Sequence, residues 1–167
     1  MALKATIALV VNALLTKAND LGVARDPLKV EHQIELEDGT GAGEADLIWH
    51  DRRTLAASAT EDLDVAGVLA STFGVTLAAA RIKAIIIVAA AANTNNVNVT
   101  RPASNGVPLF LAASDGIAVR PGGIFLLGAR DATAVPVTAS TGDLITLTNS
   151  SSGTPVTFDV IIIGASA

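Results

Sequence analysis

The chain has 167 residues, half of them hydrophobic but only 3% aromatic, with no cysteine, two histidines and a formal net charge of −5. That length supports one domain with a real core, burying roughly 70% of the unfolded surface. The composition excludes disulfides and thiolate metal sites, makes a structural zinc site untenable, and opposes a nucleic-acid face, which needs basic charge and stacking rings.

At the N-terminus, ATIALVVNALLT (5–16) follows Lys4 and resembles a short signal-peptide core. The TKANDLGVARD that comes next offers no small-x-small cleavage pattern, so no cleaved leader is expected. No stretch of the chain approaches the roughly 18 apolar residues of a membrane span. Residues 5–11 favour a strand, followed by an irregular arm through Pro27. In KVEHQIELE (29–37), Val30, His32, Ile34 and Leu36 share one parity, with Glu31, Gln33, Glu35 and Glu37 opposite. This pattern predicts a half-exposed strand that places His32 on an inner, apolar face. ADLIWHD (45–51) and RTLAAS (53–58) read as two further strands, EDLDVAG (61–67) as a strand entering a turn, and VLASTFG (68–74) as one or two helical turns ended by Gly74.

Charge then thins: residues 1–83 hold 20 of the 27 charged side chains and residues 84–167 hold 7. So uncharged a second half must be buried, in its own core or against neighbours, and this points to an oligomer or larger assembly. It reads as strands between turns: RIKAIIIVAAA (81–91), VNVT (97–100), VPLFLAA (107–113), IAVR (117–120), IFLLGA (124–129), AVPVTA (134–139), LITLTN (144–149) and VTFDVIIIGA (156–165). Pro136 marks an edge or bulge. Short strands at this spacing predict an all-β fold, an antiparallel sandwich of jelly-roll type. The expected organisation is a single domain with an N-terminal strand or arm (1–28) and a β-sandwich (29–167).

Three stretches hold candidate chemistry. GTGAG (39–43) has the glycines of a phosphate loop, but no helix or Lys follows, and Glu44 and Asp46 would repel phosphate, so a hairpin loop is the better reading. In WHDRR (49–53), His50 and Asp51 invite a dyad, yet neighbours on a strand point to opposite faces and no G-x-S-x-G elbow supplies a nucleophile. Ile48 and His50 would share one face, and Trp49 and Asp51 the other, with Arg52 and Arg53 in ion pairs within or between subunits. Trp49, His50, Asp51, Arg52 and Arg53 are therefore candidate intersubunit or partner contacts. In EDLD (61–64), Glu61, Asp62 and Asp64 have carboxylates for a cation or for glycoside hydrolysis, but neither a calcium-loop pattern nor an aromatic cleft accompanies them. No catalytic residue, metal or cofactor is expected.

Taken as an ordered string, GTGAGEADLIWHDRRTLAASATEDLDVAG, NTNNVNV, RPASNG and VRPGGIFLLGARDATAVPVTASTGDLITLTNSSSGTPVTFDVIIIGASA resemble small virion proteins of tailed bacteriophages. The resemblance covers residues 39–167, with a looser match before that. It implies a structural component of the particle with no enzymatic role. The leading expectation is a capsid cement or decoration protein that binds adjacent capsomers of the major capsid protein as a homo-oligomer, a dimer or trimer, in a virion assembled in the host cytoplasm. A tail, neck or baseplate component contacting the host surface is the alternative, and a particle-borne hydrolase using His50 or Glu61/Asp62 the remote third. No nucleic-acid or membrane partner is expected. Asp51, Arg53, Asp62, Asp64 and Gly67, which recur in the resemblance, are read as turn and pairing positions.

Overall fold

The computed structural model describes residues 2–167, and all regular secondary structure among them is β. The chain opens with two long strands, β1 (Ala5–Asn19) and β2 (Gly22–Asp38), and a short β3 (Glu44–Ala45). Then come β4 (Leu47–Leu55), β5 (Thr60–Asp64), β6 (Ala66–Ala70), β7 (Thr76–Ala78), β8 (Arg81–Ala89), β9 (Val97–Thr100) and β10 (Gly116–Val119). The last four are β11 (Ile124–Gly128), β12 (Val135–Pro136), β13 (Leu144–Asn149) and β14 (Val156–Ala165).

Eight of these strands build the body as two antiparallel sheets, β4-β14-β8-β11 and β5-β13-β9-β10, with β12 beside the start of β8. The pairing is nested. The first of the eight pairs with the last (β4·β14), the second with the seventh (β5·β13), the third with the sixth (β8·β11) and the fourth with the fifth (β9·β10). A long hairpin folded over on itself in this way is the jelly roll, and the contacts β14·β8 and β13·β9 close its two sheets.

The strands form because their side chains alternate. In β13 every second residue is buried, and in β14 Val156, Phe158, Val160 and Ile162 point inward. They meet Ile82, Ile85 and Ile87 of β8, with Leu63, Val97, Val99, Ile145 and Leu147 across the interior. Branched and small side chains fill this core, so the scarcity of rings costs it nothing. Register shifts once in the centre, where Ile163 faces Ala84 but Gly164 faces Ile82, leaving Lys83 as an extra residue. A side chain at Gly164 would lie 2.6 Å from the Arg81 carbonyl, so glycine is required there.

Several expectations change. VLASTFG holds no helical turn: residues 66–70 are β6, and Ser71 closes the hairpin to β7, its N–H donating to the Val75 carbonyl (2.8 Å) and its hydroxyl accepting from the Val75 N–H (3.2 Å). Gly74 does supply a positive φ, of 73°, but in that turn. The two expected strands at 45–51 and 53–58 are one, β4, because nothing interrupts pairing to β14 at Arg52. VPLFLAA is not a strand. Arg101 gathers the Phe110 and Leu111 carbonyls (3.0 and 3.3 Å) and holds the segment as a loop over the core. β14, expected as a strand, is paired on both sides.

The largest departure is at the N-terminus. The boundary expected at residue 28 falls inside β2, which pairs with β1 through fifteen successive positions from Ala5↔Leu36 to Asn19↔Gly22. Pro27 lies within β2 instead of ending an irregular arm, because each strand of a two-stranded ribbon has a free edge that asks for no N–H. Every residue from 8 to 33 is exposed. His32 shares its face with Val30, Ile34 and Leu36 as expected, but beyond the body that face is solvent. Only the base of the ribbon is anchored: Ile7, Leu36 and Ala45 pack with Ala84 and Ile163 on the outer face of the β4-β14-β8-β11 sheet.

Candidate functional site

The GTGAG loop joins the arm to the body. Its donor is already taken: the Glu44 carboxylate accepts the Gly41 N–H at 2.7 Å, so the anion occupying this turn is the chain's own. Gly39 and Gly43 have φ of 139° and 72°, and a side chain at Gly39 would meet Glu44 Oε2 at 2.4 Å. The lysine that sequence proximity did not supply comes from β8. Lys83, fully buried at the bulge, donates from Nζ to the carbonyls of Gly41 (2.8 Å) and Asp131 (2.7 Å). Arg81 donates to the Thr40 carbonyl at 2.9 Å. Burial, then the neighbouring Arg81 charge, lowers the Lys83 pKa, and the Asp131 and Glu44 charges oppose this. The ensemble is a latch that fixes the root of the arm.

The five residues singled out by sequence lie on β4, an edge strand, and divide by parity. Trp49, Asp51 and Arg53 face inward. Trp49 is buried and its Nε1–H donates to the Ala70 carbonyl of β6 at 3.2 Å. The Arg53 guanidinium carbon sits 5.5 Å from the Trp49 ring centroid, and Nη1 lies 3.0 Å from Glu61 of β5. Because β4 and β5 border different sheets, this pair closes the open side of the sandwich. Arg53 Nε lies 3.0 Å from Asp51 without its N–H aligned on the carboxylate, so that contact is Coulombic and not a hydrogen bond.

His50 and Arg52 face outward, and so His50 and Asp51 point apart. Arg52 makes a two-pronged pair with Asp159 on β14, at 2.6 and 3.0 Å, directly across the strand register. The Arg52 hydrogen bonds hold the Asp159 carboxyl below its ordinary range and raise the guanidinium. The two arginines thus take their partners from within the chain. The carboxylates of 61–64 diverge likewise: Glu61 turns in to Arg53, Asp62 accepts from the Thr146 hydroxyl, and Asp64 accepts the Ala66 N–H at 2.9 Å. Among the described residues, no group of three or more His, Cys, Asp or Glu side chains is placed to hold a metal ion.

What sequence reading missed is the outer face on which His50 and Arg52 stand. Across the four strands run two rows in register, Leu126–Ile86–Ile161–His50 and Ile124–Val88–Asp159–Arg52. They border the patch covered by the base of the arm, yet Leu126 is 40% exposed and Ile124 67%. The arm has a matching face. Leu9, Val11 and Leu15 of β1 and Leu28 and Val30 of β2 continue the parity of Ile7, Ile34 and Leu36, and they are between 40% and 72% exposed. The alternation in KVEHQIELE signalled this face, but only the pairing with β1 reveals its length. Comparison of the chain with family models, curated proteins and solved structures gave no match.

Proposed function

We propose that this chain is a structural protein of a tailed-bacteriophage particle, a cement or decoration protein that clamps adjacent capsomers of the head as a homo-oligomer. The observation that carries the reading is the arm, about 40 Å of two-stranded ribbon at 3.3 Å per residue, which among the described residues contacts nothing beyond its root and presents a largely apolar face interrupted by His32 and Asp26. A rigid jelly roll with such a ribbon suits joining units in an assembly. The ordered blocks from GTGAG to the final VIIIG, which resemble phage virion proteins, supply the particle.

The test is to add the purified protein to heads that lack it and to count its copies in intact virions. The reading expects hundreds of copies on the head surface and a higher temperature of head disruption on binding. A handful of copies, or labelling confined to the tail tip, transfers the protein to the tail. A chain that is monomeric at high concentration and leaves heads unchanged refutes the proposal.

A further inference from the structure

We infer that the apolar face of the β1–β2 arm docks on the outer face of the β4-β14-β8-β11 sheet of a second copy of this chain, and that each copy both gives and receives an arm. The contact between these two kinds of surface already exists within one chain. At the arm's root, Ile7, Ile34 and Leu36 pack over Ala84 and Ile163, and the Ile34 Cδ1 lies so close over Gly128 that a side chain there would approach within 2.8 Å. Both sides of that contact continue and are left uncovered. On the arm, the same parity runs outward through Leu9, Val11 and Val30. On the sheet, the next rows carry exposed Leu126 and Ile124 beside half-buried Ile86 and Val88, and end at His50 and the Arg52–Asp159 pair.

One chain cannot close both surfaces on itself, because the ribbon leaves the body beyond Ile7. A second copy closes both at once, since its arm face is the continuation of the surface this sheet already accepts. The dimensions agree. The free ribbon from Leu9 to Asn19, at about 3.3 Å per residue and two strands about 4.8 Å apart, has a face of about 350 Å². Reciprocal docking buries about 700 Å² on each partner, near the roughly 800 Å² of a stable interface. The inference rests on the self-association in the proposed function, not on the capsid.

The absence of native cysteine makes the test clean. Val30→Cys protein is mixed with Leu126→Cys protein under mild oxidation. The expected result is a covalent pair joining one of each, with neither variant cross-linking alone. A Val30→Cys homodimer would mean that arm meets arm, and cross-linking no greater than from an exposed control, Ser151→Cys, would mean no docking; either overturns the inference. As a second reading, Leu28→Lys leaves the body folded by circular dichroism, because Leu28 lies on the ribbon opposite Ala13 and outside both core clusters, and weakens self-association at least tenfold by light scattering. Unchanged association also overturns it. If arms exchange but heads are neither bound nor stabilised, the capsid reading fails and this one stands. If the variants bind heads normally without arm-to-sheet cross-links, the reverse holds.

Discussion

Replacing Lys83 tests whether the latch at the arm's root is held by hydrogen bonds to carbonyls or only by packing. Lys83→Met keeps an unbranched stem of similar volume but removes the donors for Gly41 and Asp131. The Gly41 carbonyl is half-buried and Asp131 is exposed, so water replaces part of what is lost and the two acceptors together cost about 2–3 kcal/mol. Against this, the ammonium's burial penalty, the same effect that lowers its pKa, disappears. The net expectation is a loss of about 2 kcal/mol. Lys83→Ala also removes three methylenes at about 0.8 kcal/mol each, bringing the total to about 4 kcal/mol. For a chain of this size, 1 kcal/mol moves Tm by about 2–4 °C, so the melting point falls by roughly 4–8 °C for methionine and 8–16 °C for alanine. Urea unfolding gives the free energies, and amide exchange locates the damage in residues 39–43 and 129–134. A methionine variant as stable as the parent, with both loops still protected, would refute the reasoning. The sign with pH follows from the same burial: a lysine whose folded pKa is lowered stabilises above the ordinary lysine range and loses that contribution as pH falls through the folded value.

Other consequences follow from single contacts. Gly164→Ala drives a methyl into the Arg81 carbonyl at the central bulge and should cost about 2 kcal/mol by urea titration. Trp49→Ala empties the closed side of the sandwich and should cost about 3–5 kcal/mol, with the β6–β7 hairpin losing exchange protection first. Excising residues 9–32 and closing the ribbon with a two-residue turn should shift Tm by less than about 2 °C, since those residues contribute no packing to the body. Asp159 is held below its ordinary range by Arg52, so its contribution is present at neutral pH and lost as pH drops beneath the aspartate range. Asp159→Asn should flatten that acid limb, and added salt should shrink the difference.

The second half of the chain was readable because its strands are short, branched and separated by turn residues. LITLTN and VTFDVIIIGA match β13 and β14 residue for residue. The jelly-roll type was also legible, although the nested pairing that defines it depends on contacts far apart in sequence. VPLFLAA misled because burial of Val107 and Leu109 comes from a loop lying over the core, and apolar character alone does not distinguish a ladder from a lid. VLASTFG misled because Ala and Leu permit a helix, while pairing of β6 with β7 overrode that propensity. On β4, parity placed His50 and Asp51 on opposite faces correctly. Nothing local could name their partners, because Asp159 lies 107 residues from Arg52 and Lys83 42 residues from Gly41.

The uneven charge is explained in part by the core. The charge-poor half supplies 15 of the 23 residues of the main core, whereas the uncovered apolar surface of the arm sits in the charge-rich half. There the sorting by face is partial. Lys29, Glu31, Gln33 and Glu35 occupy one side of β2 and Leu28, Val30 and Ile34 the other, but His32 and Asp26 share the apolar side and Val10, Leu14 and Val23 the polar one. The β2 edge of the arm is blunted as well, by Pro27 and by charges along β2, of which Lys29 and Glu31 pair at 3.0 Å. The β1 edge carries no charge from Ala5 to Thr16, so strand addition is disfavoured along β2 alone. The face is left open, and the docking proposed for it would cover the apolar side of β2 while leaving Lys29, Glu31 and Glu35 in water.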